Sequence, residues 1–124
     1  MLTPAASYEA LVRDFRWELP ARLNMARQAL DAWAEIAPDK VAVRDLSEGR
    51  EEVSYGRLRE MTDGLAAEFA ARGIRPGDRV GVLRSQDAWT LAAHLAAWKL
   101  GAISIPLFKL FGRDALVSRL TDAG

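Results

Sequence analysis

The sequence contains no cysteine and only one histidine. The absence of cysteine excludes a disulfide framework, a thiolate nucleophile and a cysteine-ligated zinc site, and it suits a reducing compartment. The one histidine, His94, cannot build a metal site from several histidines. It falls in an apolar helical pattern, where a lone histidine is more often a packed or capped side chain than a functional group.

Net charge is also missing, because 17 basic and 17 acidic residues cancel. No net field would attract nucleic acid or an anionic membrane, so we expect neither as a partner. The arginines are interleaved with acidic residues, as in Arg13 and Asp14. This pattern is typical of solvated helix faces rather than of a phosphate-binding patch.

No segment has the character of an export signal or a membrane span. The N-terminus has neither a basic start nor a long apolar run. The longest apolar stretch, residues 88–97, is interrupted by Thr90 and His94 and is far shorter than the about 20 residues that a spanning helix needs. We therefore expect a cytoplasmic protein.

Hydrophobic periodicity and turn residues predict helices and strands in a mixed order. Helices are expected at residues 8–15, 23–36, 55–72, 88–100 and 114–122, and strands at residues 41–43, 52–54, 79–83 and 102–106. The inner face of the second helix is expected to carry Leu23, Ala26, Leu30, Trp33 and Ala34.

Polar residues and glycines mark the predicted helix ends. Asn24, Ser54 and either Asp87 or Ser85 are typical N-caps. Glycines recur every four residues at positions 73, 77 and 81, but they fall across a helix end, a turn and a strand. This spacing predicts turn chemistry rather than a phosphate loop.

The order of the elements predicts an α/β fold. Residues 41–54 form a β-hairpin around a loop at residues 46–50, and residues 79–106 form a right-handed parallel strand–helix–strand unit. The last helix, with Leu116, Val117 and Leu120 expected on its inner side, precedes no further strand in this sequence. The sheet should therefore have an open edge. Residues 1–20 are expected to be peripheral or loosely packed.

Aromatic and charged side chains that could suggest chemistry have plainer interpretations. The four tryptophans have no basic groove around them, so core packing is favoured over stacking on a base: Trp17, Trp33, Trp89 and Trp98. Asp45 and Glu48 lie in the hairpin loop with no partner pattern for acid–base catalysis. Lys99 and Arg84 lie near element ends, but we expect a catalytic role for neither. The sequence thus nominates no catalytic, cofactor-binding or metal-binding residue.

Four segments resemble the adenylate-forming enzyme superfamily. VSYGRL at residues 53–58 is similar to its first core motif, and KLGAISIPL at residues 99–107 to its second. RGIRPGDRVGV at residues 72–82 resembles the segment that enters a strand in adenylate-forming enzymes. PLFKLFGRDAL at residues 106–116 is similar to AMP-forming acyl-CoA synthetases of the acetyl to medium-chain type. The likeness extends from about residue 15 to residue 124 and also includes Asn24-Met25-Ala26, Leu30-Asp31 and Pro38-Asp39.

The resemblance implies an incomplete N-terminal part of the large domain of such an enzyme, with a hairpin and a parallel βαβ unit. It implies a two-step ligase of fatty acid metabolism that uses ATP and Mg²⁺ to make an acyl-adenylate and then transfers the acyl group to CoA. The family's phosphate loop ending in Pro-Lys-Gly, its metal-binding Glu motif, its ribose-binding Asp and its lid lysine do not occur in this sequence. No cofactor is therefore expected for this chain alone. ATP, Mg²⁺, CoA and a small carboxylate are implied for the full-length enzyme.

Two hypotheses follow for the chain itself. The first is an N-terminal segment of an acyl-CoA synthetase that is inactive alone. The second is a stand-alone α/β interaction module that uses the open sheet edge to bind a partner or to self-associate. A small nucleotide-binding protein is disfavoured, because no phosphate loop is visible.

Overall fold

A computed structural model describes residues 4–17, 20–46 and 51–124. Its helices are α1 (Tyr8–Asp14), a π-helical segment (Arg27–Asp31) that continues as α2 (Ala32–Ile36), α3 (Tyr55–Ala71), α4 (Ala88–Lys99) and α5 (Arg113–Ala123). Its strands are β1 (Val41–Arg44), β2 (Glu52–Ser54), β3 (Arg79–Leu83) and β4 (Ile103–Leu107). None of the helices in these ranges combines the length and apolarity that a bilayer crossing requires.

The N-termini of α3 and α4 are capped by short polar side chains. Ser54 Oγ accepts a hydrogen bond from the Arg57 N–H (3.3 Å). Asp87 Oδ1 accepts one from the Thr90 N–H (2.8 Å), so Asp87 rather than Ser85 is the N-cap of α4. Each cap satisfies a backbone donor that has no partner inside the helix, as the sequence predicts.

Glycines end α3 and α4 and form the turn before β3. Gly73 (φ 89°), Gly77 (φ 88°) and Gly101 (φ 72°) all have left-handed backbone conformations. A side chain would strain this conformation, and glycine adopts it freely. The predicted turn chemistry at these positions is confirmed.

The strands form two small sheets. β1 and β2 pair antiparallel, with an irregularity between Val41 and Val43; most of the predicted hairpin loop, residues 47–50, lies outside the described residues. β3 and β4 pair in parallel with α4 between them in sequence. The α/β class, the antiparallel pair and the parallel pair are confirmed.

α4 forms the centre of the core. Ala92, Ala96 and Ala97 expose 0% of their surface, because methyl side chains let the α4 backbone lie close to its neighbours. The buried cluster joins α4 to α3, β2 and the π-helical segment, and its members are Ala26, Leu30, Val53, Leu58, Met61, Ala88, Ala92 and Leu95. Trp89 and Leu91 of the same helix are exposed, so α4 is covered on most but not all of its faces.

The β3–β4 sheet lies between α4 and α5. Because successive strand residues point to opposite faces, Val82 and Gly81 face different layers. Val82 is buried, whereas a Cβ on Gly81 would lie 3.1 Å from Leu107 Cδ1 and 3.3 Å from Leu120 Cδ2 of α5. Glycine at position 81 therefore makes room for α5 to approach the sheet.

The prediction that all four tryptophans pack in the core is wrong for three of them. Trp17, Trp33 and Trp89 are 78%, 42% and 44% exposed, and only Trp98 packs against the buried cluster. The ring of Trp33 has surface partners, because it stacks on Tyr55 with centroids 5.8 Å apart. Aromatic content alone does not indicate which helix face is covered.

The predicted inner faces of two helices also need correction. α5 has no buried residue; Leu116 is half-buried, whereas Val117 and Leu120 are about half exposed. In the second helix, Ala26, Leu30 and Ala34 are buried as predicted, but Leu23 is exposed. Leu23 precedes the first helical residue, so it is not part of that face. For α5, the helical period groups the apolar residues, but burial also requires a neighbouring element to cover them.

Candidate functional site

Two shallow grooves run along α4. The hairpin groove, of about 450 Å³, lies between the end of β1 and the start of α4 and includes Asp45 and Asp87. The β4 groove, of about 460 Å³, lies between α4 and β4 and includes Met25 and Trp98. Both are lined by Leu91, His94 and Pro106. These shared residues make the surface around His94 the candidate site.

The hairpin groove lies beside the carboxyl ends of β3 and β4, where ligands of open α/β sheets usually bind. Among the positive side chains near this edge, Arg84 and Lys109 follow β3 and β4 and have partners there. Arg84 Nη2 donates to Asp87 Oδ2 (2.6 Å), and Lys109 Nζ donates to Ser85 Oγ (2.9 Å). Arg84 and Lys109 thus hydrogen-bond to side chains that follow β3 at the same edge.

Asp87 links the edge to α4. The hydrogen bond from Arg84 holds the pKa of the Asp87 carboxyl below its usual value, against the opposing effect of burial. The same carboxylate caps α4 through the Thr90 N–H. Its oxygens therefore position the start of α4, and the contacts of Asp87 are those of a structural residue.

His94 lies half-buried in the wall shared by the two grooves. Burial lowers the pKa of the imidazole below its usual value of 6.5, because a low-dielectric environment disfavours the charged form. Its ring is tilted toward Trp98, with centroids 6.3 Å apart. At neutral pH His94 is thus an uncharged, packed side chain, in line with the sequence expectation.

Lys99 lies on the opposite side of α4's C-terminal turn, in a network of ion pairs. Its Nζ is 2.7 Å from Asp31 Oδ1 and also donates to Asp63. Burial lowers the pKa of Lys99, but the attraction of the two carboxylates outweighs burial and leaves the pKa above its usual value. This network joins the π-helical segment, α3 and α4, so the contacts of Lys99 are those of a structural cation.

Sequence reasoning did not find the aromatic cluster beside α2. Lys40 Nζ lies 4.3 Å from the ring centroid of Trp33, which in turn stacks on Tyr55. A cation over an indole ring is attracted to its negative face. The sequence positions of the three residues, 33, 40 and 55, follow no local period, so only the fold reveals the cluster.

The residues of this edge do not fit a magnesium nucleotide. Mg²⁺ in a nucleotide site is usually held by one or two carboxylates together with the phosphates. At this edge the Asp87 carboxylate already accepts from Arg84 and caps α4, and within the described ranges no three acidic or histidine side chains gather. Arg84 and Lys109 donate to Asp87 and Ser85, and Arg44 of the groove wall donates to Glu52 (2.6 Å). Glu48, the second carboxylate considered in the hairpin loop, lies outside the described ranges.

The sequence of this chain matches a family model and known synthetases. A family model described as AMP-binding enzyme matches residues 30–124. Acetyl-coenzyme A synthetase of Penicillium chrysogenum is 32% identical over 114 residues, which are 89% of this chain and 17% of that protein. Acetyl-coenzyme A synthetase of Desulfatibacillum aliphaticivorans is 32% identical over 115 residues, 89% of this chain and 18% of that protein.

Comparison of the fold with solved structures also finds similarity to an acyl-CoA synthetase. The crystal structure of an acyl-CoA synthetase from Brucella canis is similar with a TM-score of 0.74 and 30% identity, over 82% of this chain and 19% of that chain. The chain therefore spans less than a fifth of the length of the relatives that it matches.

Proposed function

The chain belongs to the AMP-binding enzyme family, and we propose that it supplies the N-terminal framework of the large domain of an AMP-forming acyl-CoA synthetase. The parent enzyme converts ATP, a carboxylate and CoA into acyl-CoA, AMP and pyrophosphate. It acts in the cytoplasm, in fatty acid metabolism. The chain's own contribution is the α4-centred core and the β3–β4 sheet, and it is catalytically silent alone.

The observation that supports this proposal is the hydrogen bonding of the charged side chains that follow the carboxyl ends of β3 and β4. Adenylation turns a poor leaving group into a good one, and the charge that develops on the phosphates must be held by a metal and by aimed donors. Here Arg84 and Lys109 are engaged by Asp87 and Ser85. Cations held in this way support the ends of the elements, which favours a framework role for the described residues.

Carboxylate-dependent exchange of labelled pyrophosphate into ATP tests the proposal. The purified chain, with its folded state checked by circular dichroism, should give no exchange above a blank with acetate, propionate or a medium-chain acid. An acetyl-coenzyme A synthetase of full length serves as the positive control. Robust exchange by the chain alone would refute the framework role, and so would tight binding of ATP measured by calorimetry.

A second candidate function, an interaction module, is favoured by the apolar surface beside the sheet. Leu83, at the carboxyl end of β3, is 46% exposed, and Ile103, at the amino end of β4, is 54% exposed. Such surface next to an unpaired strand edge is suited to a partner or to self-association. Light scattering and thermal melting separate the two functions: a sharply melting monomer or dimer favours the module, and aggregation or a molten state favours a part of a larger domain.

A further inference from the structure

α1 carries an apolar stripe that is open to solvent. Tyr8, Leu11, Val12 and Phe15 recur three, four and seven positions after the first of them, a spacing that places side chains on one helix face. α1 has no buried residue, and Val12 is 58% exposed. The N-terminal helix is therefore amphipathic, and its apolar side is available for packing.

α1 is too short to be a stable helix by itself. It has seven residues, whereas isolated helices shorter than about 12–15 residues are marginal in water. Ser7 supports its start, because Ser7 Oγ accepts a hydrogen bond from the Ala10 N–H (3.2 Å). Most of the stability of a protein helix, however, comes from packing of its apolar face. A stable α1 thus requires a surface that receives the stripe.

The β4 groove offers an apolar surface of matching length. On α4 it is lined by Leu91, His94 and Trp98. Leu91 and Trp98 are seven positions apart, which is about 10 Å along a helix axis. Tyr8 and Phe15 are also seven positions apart, so the stripe and the α4 wall of the groove have the same length.

The chemistry of the two grooves favours the β4 groove as the receiving surface. The described residues that line the β4 groove include no lysine, arginine, aspartate or glutamate. The hairpin groove includes Arg44, Asp45 and Asp87, and covering charged groups with an apolar stripe costs free energy. An amphipathic helix that lays its apolar face in an apolar groove is a common mode of recognition.

The tether between α1 and the groove favours docking within one chain. Met25 belongs to the wall of the β4 groove and is exposed. Nine residues, 16–24, separate Met25 from Phe15, and a stretch of this length spans up to about 30 Å. Short tethers give effective concentrations on the order of 1 mM. The α1 of the same chain therefore reaches the groove ahead of a second copy.

We propose that residues 8–15 form a strap that docks in the β4 groove of the same chain, with the apolar stripe against Leu91, Trp98 and Ile103. The strap covers the wall that His94 shares between the two grooves, so it controls access to the candidate site. The inference goes beyond the framework role and does not depend on it, because the strap and the groove both belong to the described residues.

Amide hydrogen exchange in the full chain tests the strap. The N–H groups of Leu11 and Phe15 donate to the carbonyls of Ser7 and Leu11. Docking should slow exchange at both amides by on the order of 10-fold or more relative to Val12→Asp, because a charge in the stripe prevents docking. Ala10→Asp is the matched control. It adds the same charge to α1 away from the stripe and should keep the slow exchange.

A second pair of variants places the substitution outside α1. Ile103→Asp adds a charge to the wall of the β4 groove. Leu83→Asp adds the same charge to a strand residue of similar exposure that is absent from the residues lining either groove. Ile103→Asp should speed exchange at Leu11 and Phe15 by on the order of 10-fold, and Leu83→Asp should leave it unchanged.

Equal exchange at Leu11 and Phe15 in Ile103→Asp and Leu83→Asp would overturn the proposal, and so would unprotected amides at these positions in the unaltered chain. Protection that rises with protein concentration would also overturn it, because a second copy would then be the occupant. If Ile103→Asp does not fold, Met25→Glu, at an exposed position of the same wall, gives the same decision. These readouts involve neither ATP nor pyrophosphate, so failure of the strap and failure of the framework role are distinguishable.

Discussion

Asn24 is expected to stabilise the chain through two helices at once. Its Oδ1 accepts from the N–H groups of Ala26 (3.0 Å) and Arg27 (3.2 Å), which caps the start of the second helix. Its Nδ2 donates to the carbonyls of Trp98 (2.8 Å) and Lys99 (3.3 Å) at the end of α4. Helix ends leave such groups without partners inside the helix. One side chain therefore joins segments that are 74 residues apart in sequence.

Replacing Asn24 separates the two contributions. Asn24→Ala loses an N-cap worth about 1 kcal/mol and a hydrogen bond to the end of α4 worth about 1 kcal/mol. The expected loss is thus about 2 kcal/mol, or a fall in Tm of about 8 °C for a chain of this size. Asn24→Ser keeps a capping oxygen but cannot reach α4, so its loss should be about 1 kcal/mol.

Urea unfolding followed by far-ultraviolet circular dichroism measures these losses as shifts in the midpoint at constant slope. Ser54→Ala is the control, because the Ser54 hydroxyl caps α3 by accepting from the Arg57 N–H; its loss should be about 1 kcal/mol. The reasoning is refuted if Asn24→Ser matches the wild type and Asn24→Ala loses no more than Ser54→Ala. The link to α4 would then contribute nothing.

Two further predictions concern glycine packing and pH. Gly64→Ala, on α3 with nothing within 4 Å of the added methyl, should stabilise the chain by about 0.5–1 kcal/mol. Gly81→Val should destabilise it by about 1–3 kcal/mol, because the side chain enters the contact with α5; equal midpoints in urea for the two variants would contradict this. Burial lowers the pKa of folded His94 below the 6.5 of the unfolded chain, so stability is full above that pH and falls as the pH drops toward the folded value. His94→Gln should flatten the dependence of Tm on pH in this window, and an unchanged slope would exclude His94 as its source.

Local rules predicted most of the secondary structure. The caps at Asn24, Ser54 and Asp87 and the glycines at positions 73 and 101 act within a few residues of themselves, and a pattern of that range can be read from sequence. The parallel pairing of β3 and β4 was also predicted from the sequence, because a helix separates the two strands in the chain. The family resemblance is confirmed by the match over residues 30–124.

Longer-range features were not predictable in the same way. The sequence offered the tryptophans as core residues, but Trp17, Trp33 and Trp89 lie at the surface, because burial depends on which element covers a helix face. The pairing of Lys109 with Ser85 joins residues from different strand ends, and no local spacing indicates it. The groove around His94 likewise exists only where the hairpin, α4 and β4 meet.

The sequence by itself determined the order and approximate bounds of most elements, the α/β class and the family, because turns, caps and helical periods depend on neighbours in the chain. Only the tertiary structure decided which charged side chains hydrogen-bond to one another and that Asn24 joins two helices. These outcomes depend on distances between segments and on the direction of backbone groups. Both are set when the layers pack, and neither is encoded in any single stretch of residues.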